Sequence, residues 1–498
     1  MTAISLNEAV RRVTMTKPGF EVETVEIRRV HYRAFKNIAI ASLGGVTVFQ
    51  NAWWTTEELK YVFEDSRAPL VFADAERCKR LMPLVNEMDL TVIGVRDAET
   101  LTEACYSDLI NRASIAHAPD ILIDTDDDFA IMYSSGTTGH PKGVVQTHRG
   151  AMNAVHTWLM QAELAPLINP PTPDASTPHR PAALIVTPLF HVTATHPLFL
   201  LSIPAGAKLM LMEKWDAITA ARLVESEKIT RFLGVPTQSI ELARAAKTLD
   251  ISLESLDNIG SSGAKRPPAQ VADIANAFPD ADVATGWGMT ETNTNGIGMV
   301  GDEYVRRPGV SGRLCPPIQE LKFVDESGQD VPPGSLGEIT VESPCNMRCY
   351  LNKPDATAEV FQDGWLRTGD LGYIDDEGYV TIVDRRKNII IRGGENIACL
   401  DVEKALHRHP AVIEACAFSV PDERLGEIVG AVVQTERGQP VTHDDLTRFL
   451  GEHIAPFKVP GHIWMQATPL PRGATKKTDR RTLREQCLAT LDDRKRCS

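Results

Sequence analysis

Tyr133-Ser-Ser-Gly-Thr-Thr-Gly-His-Pro-Lys-Gly-Val144 is the stretch on which the reading of this 498-residue chain turns. It follows the strand-like run Phe129 to Tyr133 and packs three glycines, four aliphatic hydroxyls and one lysine into a short loop. Glycine lets backbone N–H groups approach phosphate oxygens, hydroxyls add donors, and Lys142 adds positive charge. Ser134, Ser135, Gly136, Thr137, Thr138, Gly139 and Lys142 are thus candidate phosphate contacts. This is not a Walker A loop, because Gly143 follows Lys142 where Ser or Thr is required. The alternative is a plain Ser/Gly-rich turn. So many phosphate-compatible groups directly after a strand argue against it.

Outward from this loop, short β-rich runs alternate with helical patterns. Val46 to Phe49 reads as a strand, and Thr55 to Glu64 as a helix with a Thr-Thr-Glu-Glu start. Strands are expected at Leu70 to Ala73, Ala182 to Thr187, Arg231 to Val235, Leu256 to Ile259 and Val283 to Thr285. Helices are expected at His148 to Gln161, Asp216 to Lys228 and from Pro236 onward. This alternation implies an α/β fold with much parallel sheet, in which ligands sit at the carboxyl ends of strands. Leu164 to Pro181 carries six prolines and reads as an exposed loop. The charge run Val383 to Asn388 separates this region from a compact α+β pattern. There, helices are expected at Leu400 to His409 and His443 to Ile454, and strands near Val412 to Val420 and Ile428 to Gln434.

The chain has 52 Lys and Arg against 66 Asp and Glu, a net charge of −14. That balance argues against a general nucleic-acid binder, which needs a basic stripe, but permits a locally positive site for an anionic small ligand. Nine cysteines without a C-x-x-C pair indicate reduced thiols rather than a disulfide or zinc framework. Glu8 falls where a signal peptide needs its apolar core, so a cytoplasmic protein is expected. Pro181 to Ala207 carries no Asp, Glu, Lys or Arg, but Pro188, Pro197 and Pro204 interrupt it. A buried strand, a loop and a further buried segment fit it better than a spanning helix.

The loop resembles the signature of the AMP-forming acyl-adenylate superfamily, which includes acyl-CoA synthetases, aryl-CoA ligases, luciferases and adenylation domains. Further motifs follow in the family's order. Pro188-Leu-Phe-His191 resembles the acyl-site His motif. Gly260-Ser-Ser-Gly-Ala264 resembles the segment beside adenine and the acyl group, and Gly286-Trp-Gly-Met-Thr-Glu291 the G-Y-G-x-T-E motif. Gly364-Trp-Leu-Arg-Thr-Gly-Asp370 resembles the ribose motif, and Asp384-Arg-Arg-Lys387 the hinge. Ile391-Arg-Gly-Gly-Glu-Asn-Ile397 resembles the loop contacting the CoA arm, and Pro471-Arg-Gly-Ala-Thr-Lys-Lys477 the C-terminal lysine motif.

The resemblance implies a large N-terminal domain of several subdomains with mixed and parallel sheets, residues 1–384, and a small mobile α+β C-terminal domain, residues 385–498. It implies ATP, Mg²⁺ and coenzyme A as co-substrates and cofactor, a small carboxylic acid as partner, and leaves room for a homodimer. Lys477 would be the adenylation lysine, and Thr290 would donate to the α-phosphate. Glu291 would hold Mg²⁺, while His191 would orient the acyl group. Asp370 would accept from ribose, Arg385 would lie near ribose and phosphate, and Lys387 would be the hinge residue. Gly263, Ala264, Gly286, Trp287 and Gly288 would line the adenine side, and Gly393, Gly394 and Glu395 would receive CoA.

The expected activity is ATP-dependent activation of a carboxylic acid, a fatty acid first, followed by transfer to CoA. An aryl-CoA ligase, a carrier-loading adenylating enzyme and an impaired nucleotide binder are the alternatives. An apolar wall from Val192 to Leu201 points to an aliphatic or aromatic acid. Three departures from the family pattern stand out: Trp287 for Tyr, Lys476 for Gly, and Cys349 for Gly. Related chains also carry a further strand-and-helix stretch where Asn37 here runs straight into Ile38. That join is expected to leave sheet edges or apolar faces uncovered.

Overall fold

The computed structural model describes residues 33–98, 100–112, 121–134, 141–168, 179–262, 266–315, 317–392, 395–422, 424–435, 441–472 and 477–496. Their strands form five sheets. The largest has seven strands in the order Arg313–Leu314, Ile297–Val300, Asp282–Trp287, Asn258–Ser261, Arg231–Gly234, Ala182–Ile185 and Lys208–Leu211. The last five are mutually parallel. The first two are antiparallel additions. Helix Pro236–Leu249 connects Arg231–Gly234 to Asn258–Ser261, and helix Pro268–Ala277 connects that strand to Asp282–Trp287. These crossovers leave Gly234, Ser261 and Trp287 together at the carboxyl end of the sheet, where such folds bind ligands. Leu184, Phe232, Ile259 and Val283 lie fully buried beneath the helices.

A four-stranded sheet runs Thr47–Phe49, Asp128–Ser134, Lys142–Thr147, Cys349–Tyr350. A three-stranded parallel sheet holds Leu70–Ala73, Thr91–Gly94 and Ala104–Cys105. A fourth sheet, wholly antiparallel, includes the long hairpin Trp365–Ile374 with Val380–Arg385. The parallel content is therefore concentrated in two sheets, less than the alternating pattern alone implies. The fifth sheet comprises Glu395–Ala398, Ile389–Arg392, Gly426–Thr435, Val412–Asp422 and His462–Gln466. With helices Cys399–Leu406 and His443–His453 it closes its own core around Val402, Leu406, Val429, Ala431, Val433 and Leu446.

Local sequence explains the element ends. Thr55 accepts from the Glu58 amide at 3.3 Å while the Glu58 carboxylate accepts from the Thr55 amide at 2.7 Å, a closed capping box for helix Thr56–Ser66. Asp216 caps Ala217–Glu227, which stops at Lys228 in the left-handed region. One expectation fails here. Helix His148–Ile168 runs past Gln161 and through Pro166, so Leu164 to Ile168 is helix rather than loop; residues 169–178 lie outside the described residues. A proline late in a helix costs one backbone bond and terminates the helix a little beyond itself instead of preventing it.

The segment Pro181 to Ala207 is broken as expected: strand Ala182–Ile185, then a short helical turn passing into a π-helical stretch at Thr195–Leu200. Among the described residues no helix is long and apolar enough to cross a membrane. The Asn37-Ile38 join falls inside one unbroken helix, Arg33–Ser42. Its Ile38 and Ala41 are buried against the cores that hold Leu198 and Phe129. An apolar face is covered there by the helix itself. The short strand Thr47–Phe49 has a neighbour on one side only among the described residues.

One core residue is anomalous. Arg266 is 1% exposed, yet its guanidinium meets only the Ser261 and Ser239 hydroxyls at 3.2 and 3.3 Å. Its Nη1 has no partner, and no carboxylate pairs with it among the described residues. Burial pulls its pKa below the usual arginine range. An uncompensated buried cation is costly, and apolar replacement of buried charge is neutral or stabilising. Arg266→Met is expected to stabilise the chain by about 1 kcal/mol or more, read as a raised thermal midpoint. A lowered midpoint would mean that the guanidinium is needed in place.

Candidate functional site

Three groups of side chains converge at the sheet ends. The first begins with the hairpin Asp128–Ser134 and Lys142–Thr147, in which Ser134 lies opposite Lys142. Ser135, Gly136, Thr137, Thr138 and Gly139 lie outside the described residues. Lys142 Nζ sits over the Tyr350 ring, 4.7 Å from its centroid. The Tyr350 hydroxyl donates to Glu291 Oε1 at 2.9 Å. Glu291 is 6% exposed, and burial raises its carboxyl above the usual range, opposed by the Tyr350 bond and the Arg385 charge. Its backbone is pinned as well: Met347 N donates to Glu291 O at 2.7 Å, and Gln146 Nε2 donates to Thr290 O at 3.0 Å. Thr290 and Glu291 occupy a short 3₁₀ turn, Thr290–Thr292, followed by Asn293 and Thr294 at φ 50° and 60°. The left-handed region is uncommon for a β-branched residue such as Thr294, so this turn is over-determined by its surroundings. Gly288 is part of that constraint, since a Cβ there would lie 2.2 Å from the Thr294 carbonyl oxygen.

The second group is built on Asp370. Gly286 and Trp287 close the strand Asp282–Trp287, and the indole Nε1 donates to Asp370 Oδ2 at 2.7 Å. Arg385 lies opposite Asp370 in its hairpin, and its Nε forms an ion pair with Asp370 Oδ1 at 2.9 Å. Trp287 thus supplies a donor that the loss of a phenol had removed, from the indole nitrogen instead. Asp370 is 3% exposed and both its oxygens are held, which fixes the direction of their remaining lone pairs. The Asp370 and Arg385 charges both act on Glu291, so the first two groups form one electrostatic unit.

The third group joins the two ends of the chain. His191 follows Phe190, with ring centroids 4.4 Å apart, and its Nε2 has no hydrogen-bond partner among the described residues. Burial pushes its pKa down to about 3, with the Lys477 charge adding to the effect. His191 is therefore neutral at ordinary pH and acts through hydrogen bonding rather than charge. Lys477, exposed in the small C-terminal unit, stands within electrostatic range of this ring.

Other expected residues separate from these groups. Gly263, Ala264, Gly393 and Gly394 lie outside the described residues; Glu395 opens the strand Glu395–Ala398. Lys387 occupies the middle of the 3₁₀ turn Arg386–Asn388. Beside it, the buried Asp384 accepts from Asn388 Nδ2 through Oδ1 at 3.0 Å and from Leu400 N through Oδ2 at 3.0 Å. The apolar wall needs correction: Val192, Ala194, Leu198 and Phe199 are buried in two cores and line no open surface. What is exposed near His191 is Trp53, at 48%, packed edge-on against Phe190 at 5.5 Å. Tyr350 was not a candidate from sequence. A tyrosine beside a cysteine carries no spacing signal, and its partner Glu291 is 59 residues away.

The arrangement presents two buried carboxylates, a lysine and an arginine at the strand ends, with the charge of a second lysine reaching it from the last sheet's domain. Such a set suits a polyphosphate and an anionic nucleophile. Among the described residues no cluster of three or more His, Cys, Asp or Glu could hold a metal alone. A single buried carboxylate does fit Mg²⁺, which binds through one or two carboxylates plus substrate phosphates and water.

The chain is similar to known proteins over most of its length. The model of the AMP-binding enzyme family matches residues 34–351, and that of the AMP-binding enzyme C-terminal domain matches residues 401–477. A 4-coumarate–CoA ligase-like protein of Arabidopsis thaliana is 30% identical over 470 residues, 92% of this chain and 80% of that protein. A long-chain-fatty-acid–CoA ligase of Mycobacterium tuberculosis is 30% identical over 457 residues, 91% of this chain and 85% of that protein. The crystal structure of ATP-bound MatB from Rhodopseudomonas palustris superposes with a TM-score of 0.81 at 25% identity, covering 97% of this chain and 92% of that one.

Proposed function

The chain belongs to the AMP-binding enzyme family, and from that premise we propose that it joins a fatty acid to CoA through an acyl-adenylate. In the first half-reaction a carboxylate oxygen attacks the α-phosphorus of ATP and pyrophosphate leaves. In the second, a thiolate attacks the acyl carbon, the thioester forms and AMP leaves. The observation that carries this reading is the pair of buried carboxylates at the sheet ends, Glu291 held by Tyr350 and Asp370 held by Trp287 and Arg385, with Lys142 over the Tyr350 ring. Lys477 would bring the carboxylate and the α-phosphate together there.

Asp370, aimed by Trp287 and Arg385, accepts from the ribose hydroxyls. Lys142 and the glycine loop hold the leaving phosphates. His191, neutral, orients the acyl carboxylate. Glu291 would hold Mg²⁺, which would supply neutralisation of the phosphate charge. Two arrangements of the small domain, with the boundary at residues 384/385 and Lys387 in the hinge, would bring first Lys477 and then Gly393, Gly394 and Glu395 to the same adenylate. Exclusion of water from the mixed anhydride follows from that closure. The exposed Trp53 and the adjoining Phe190 favour an apolar acid. Because 4-coumarate and long-chain-fatty-acid ligases are similarly related, an aryl acid is the second reading. A screen of CoA consumption and AMP release over fatty acids of graded length and cinnamate-like acids separates them. The fatty series should rank highest; a maximum among the cinnamates replaces it with the aryl reading. Turnover only with a phosphopantetheinylated carrier would move the acceptor from CoA.

A further inference from the structure

The C-terminal lysine is carried on a segment that is gripped at its base. Glu414, in the strand Val412–Asp422, accepts from Arg472 Nη2 at 2.9 Å and from Thr478 Oγ1 at 3.1 Å. Arg472 and Thr478 also form an isolated backbone bridge, and Asp479 N donates to Pro471 O at 2.8 Å. One carboxylate therefore closes both ends of the stretch that ends in Lys477. A second clamp follows at once. Arg480 Nη2 donates to Glu403 Oε1 at 2.6 Å, and that same oxygen accepts from Ala417 N at 2.8 Å. The Arg480 charge also acts on the buried Asp384 carboxylate at the hinge.

Resting on the reading of Lys477 as the adenylation lysine, we infer that Glu414 is a positioning residue for it: by tying Arg472 and Thr478 together it presents the Lys477 ammonium at one place in the adenylate site. Lysine is a flexible four-carbon stem with about 2 kcal/mol of rotamer entropy. A loose base would add backbone freedom to that, and a misplacement of about 1 Å can cost on the order of 100-fold in rate. Glu403 and Arg480 join helix Cys399–Leu406 to helix Arg480–Arg496, and the same Glu403 oxygen holds Ala417 N, so their loss would disturb the domain generally. The Glu414 pair is about as exposed but joins no two helices. Arg472 keeps 28% of its side chain exposed and can be solvated when its partner is removed. A partly exposed pair of this kind contributes little to folding, whereas its effect on lysine placement falls on one half-reaction alone.

The test compares Glu414→Ala, Thr478→Val and Lys477→Ala in the full chain. It measures acid-dependent ATP–pyrophosphate exchange, thioester formation from supplied acyl-adenylate, and the thermal midpoint. Glu414→Ala is expected to slow adenylation about tenfold, with the thioester step and the midpoint little changed. Thr478→Val should show a smaller loss of the same kind. Arg472→Ala added to Glu414→Ala should cost little more than Glu414→Ala alone, since both break one interaction. Equal losses in both half-reactions, or none in adenylation while Lys477→Ala abolishes it, would overturn the positioning role. Full adenylation by Lys477→Ala would instead overturn the reading of the lysine on which that role rests.

Discussion

Lys477→Ala is expected to lower acyl-adenylate formation about 100-fold or more, the range seen when one donor to a developing charge is removed. Thioester formation from supplied acyl-adenylate should stay within a few-fold of the parent. The asymmetry follows from position. Lys477 is exposed on the small domain's side, and its charge reaches His191 in this arrangement. In the proposed reaction it would have no task once the anhydride exists and the domain has turned away. Folding should be unaffected, because an exposed side chain contributes little buried area. Single-turnover measurement of each half-reaction decides the matter, and equal loss of both would contradict the assignment.

Lys387→Pro should do the reverse. Lys387 sits in the 3₁₀ turn Arg386–Asn388, the link between strand Val380–Arg385 and strand Ile389–Arg392. Proline fixes φ near −65°, which suits a short helical turn and resists its rearrangement. The arrangement with Lys477 beside His191 is thereby held. Adenylation is expected to persist, while the thioester step falls about tenfold or more because the second arrangement becomes rare. The Asp384 carboxylate, shared between Asn388 and Leu400 across the turn, already braces this geometry. Unchanged overall turnover would remove the hinge from Lys387.

The sequence exposed the fold where periodicity and caps act locally. Leu70–Ala73 matches its expected bounds, and the Thr55 and Asp216 caps start their helices as read. It misled where direction matters more than composition. The Val192 to Leu201 run is apolar because it fills two cores, and nothing in its composition distinguishes a core face from a pocket wall. Helix His148–Ile168 outlasts Pro166 because a proline so near the end of a helix costs only one backbone bond. The site residues came from ordered motifs, but their mutual support did not. Tyr350 under Glu291, Trp287 on Asp370, and Arg472 and Thr478 on Glu414 are contacts between residues 58 or more apart, beyond any local pattern.

The most direct test of the account is ATP–pyrophosphate exchange by the unmodified chain, with and without acid and in the absence of CoA. Exchange that requires a carboxylic acid, proceeds without CoA and gives AMP once CoA is added is the predicted result. Nucleotide binding without exchange for any acid, or ADP as the product, would contradict it.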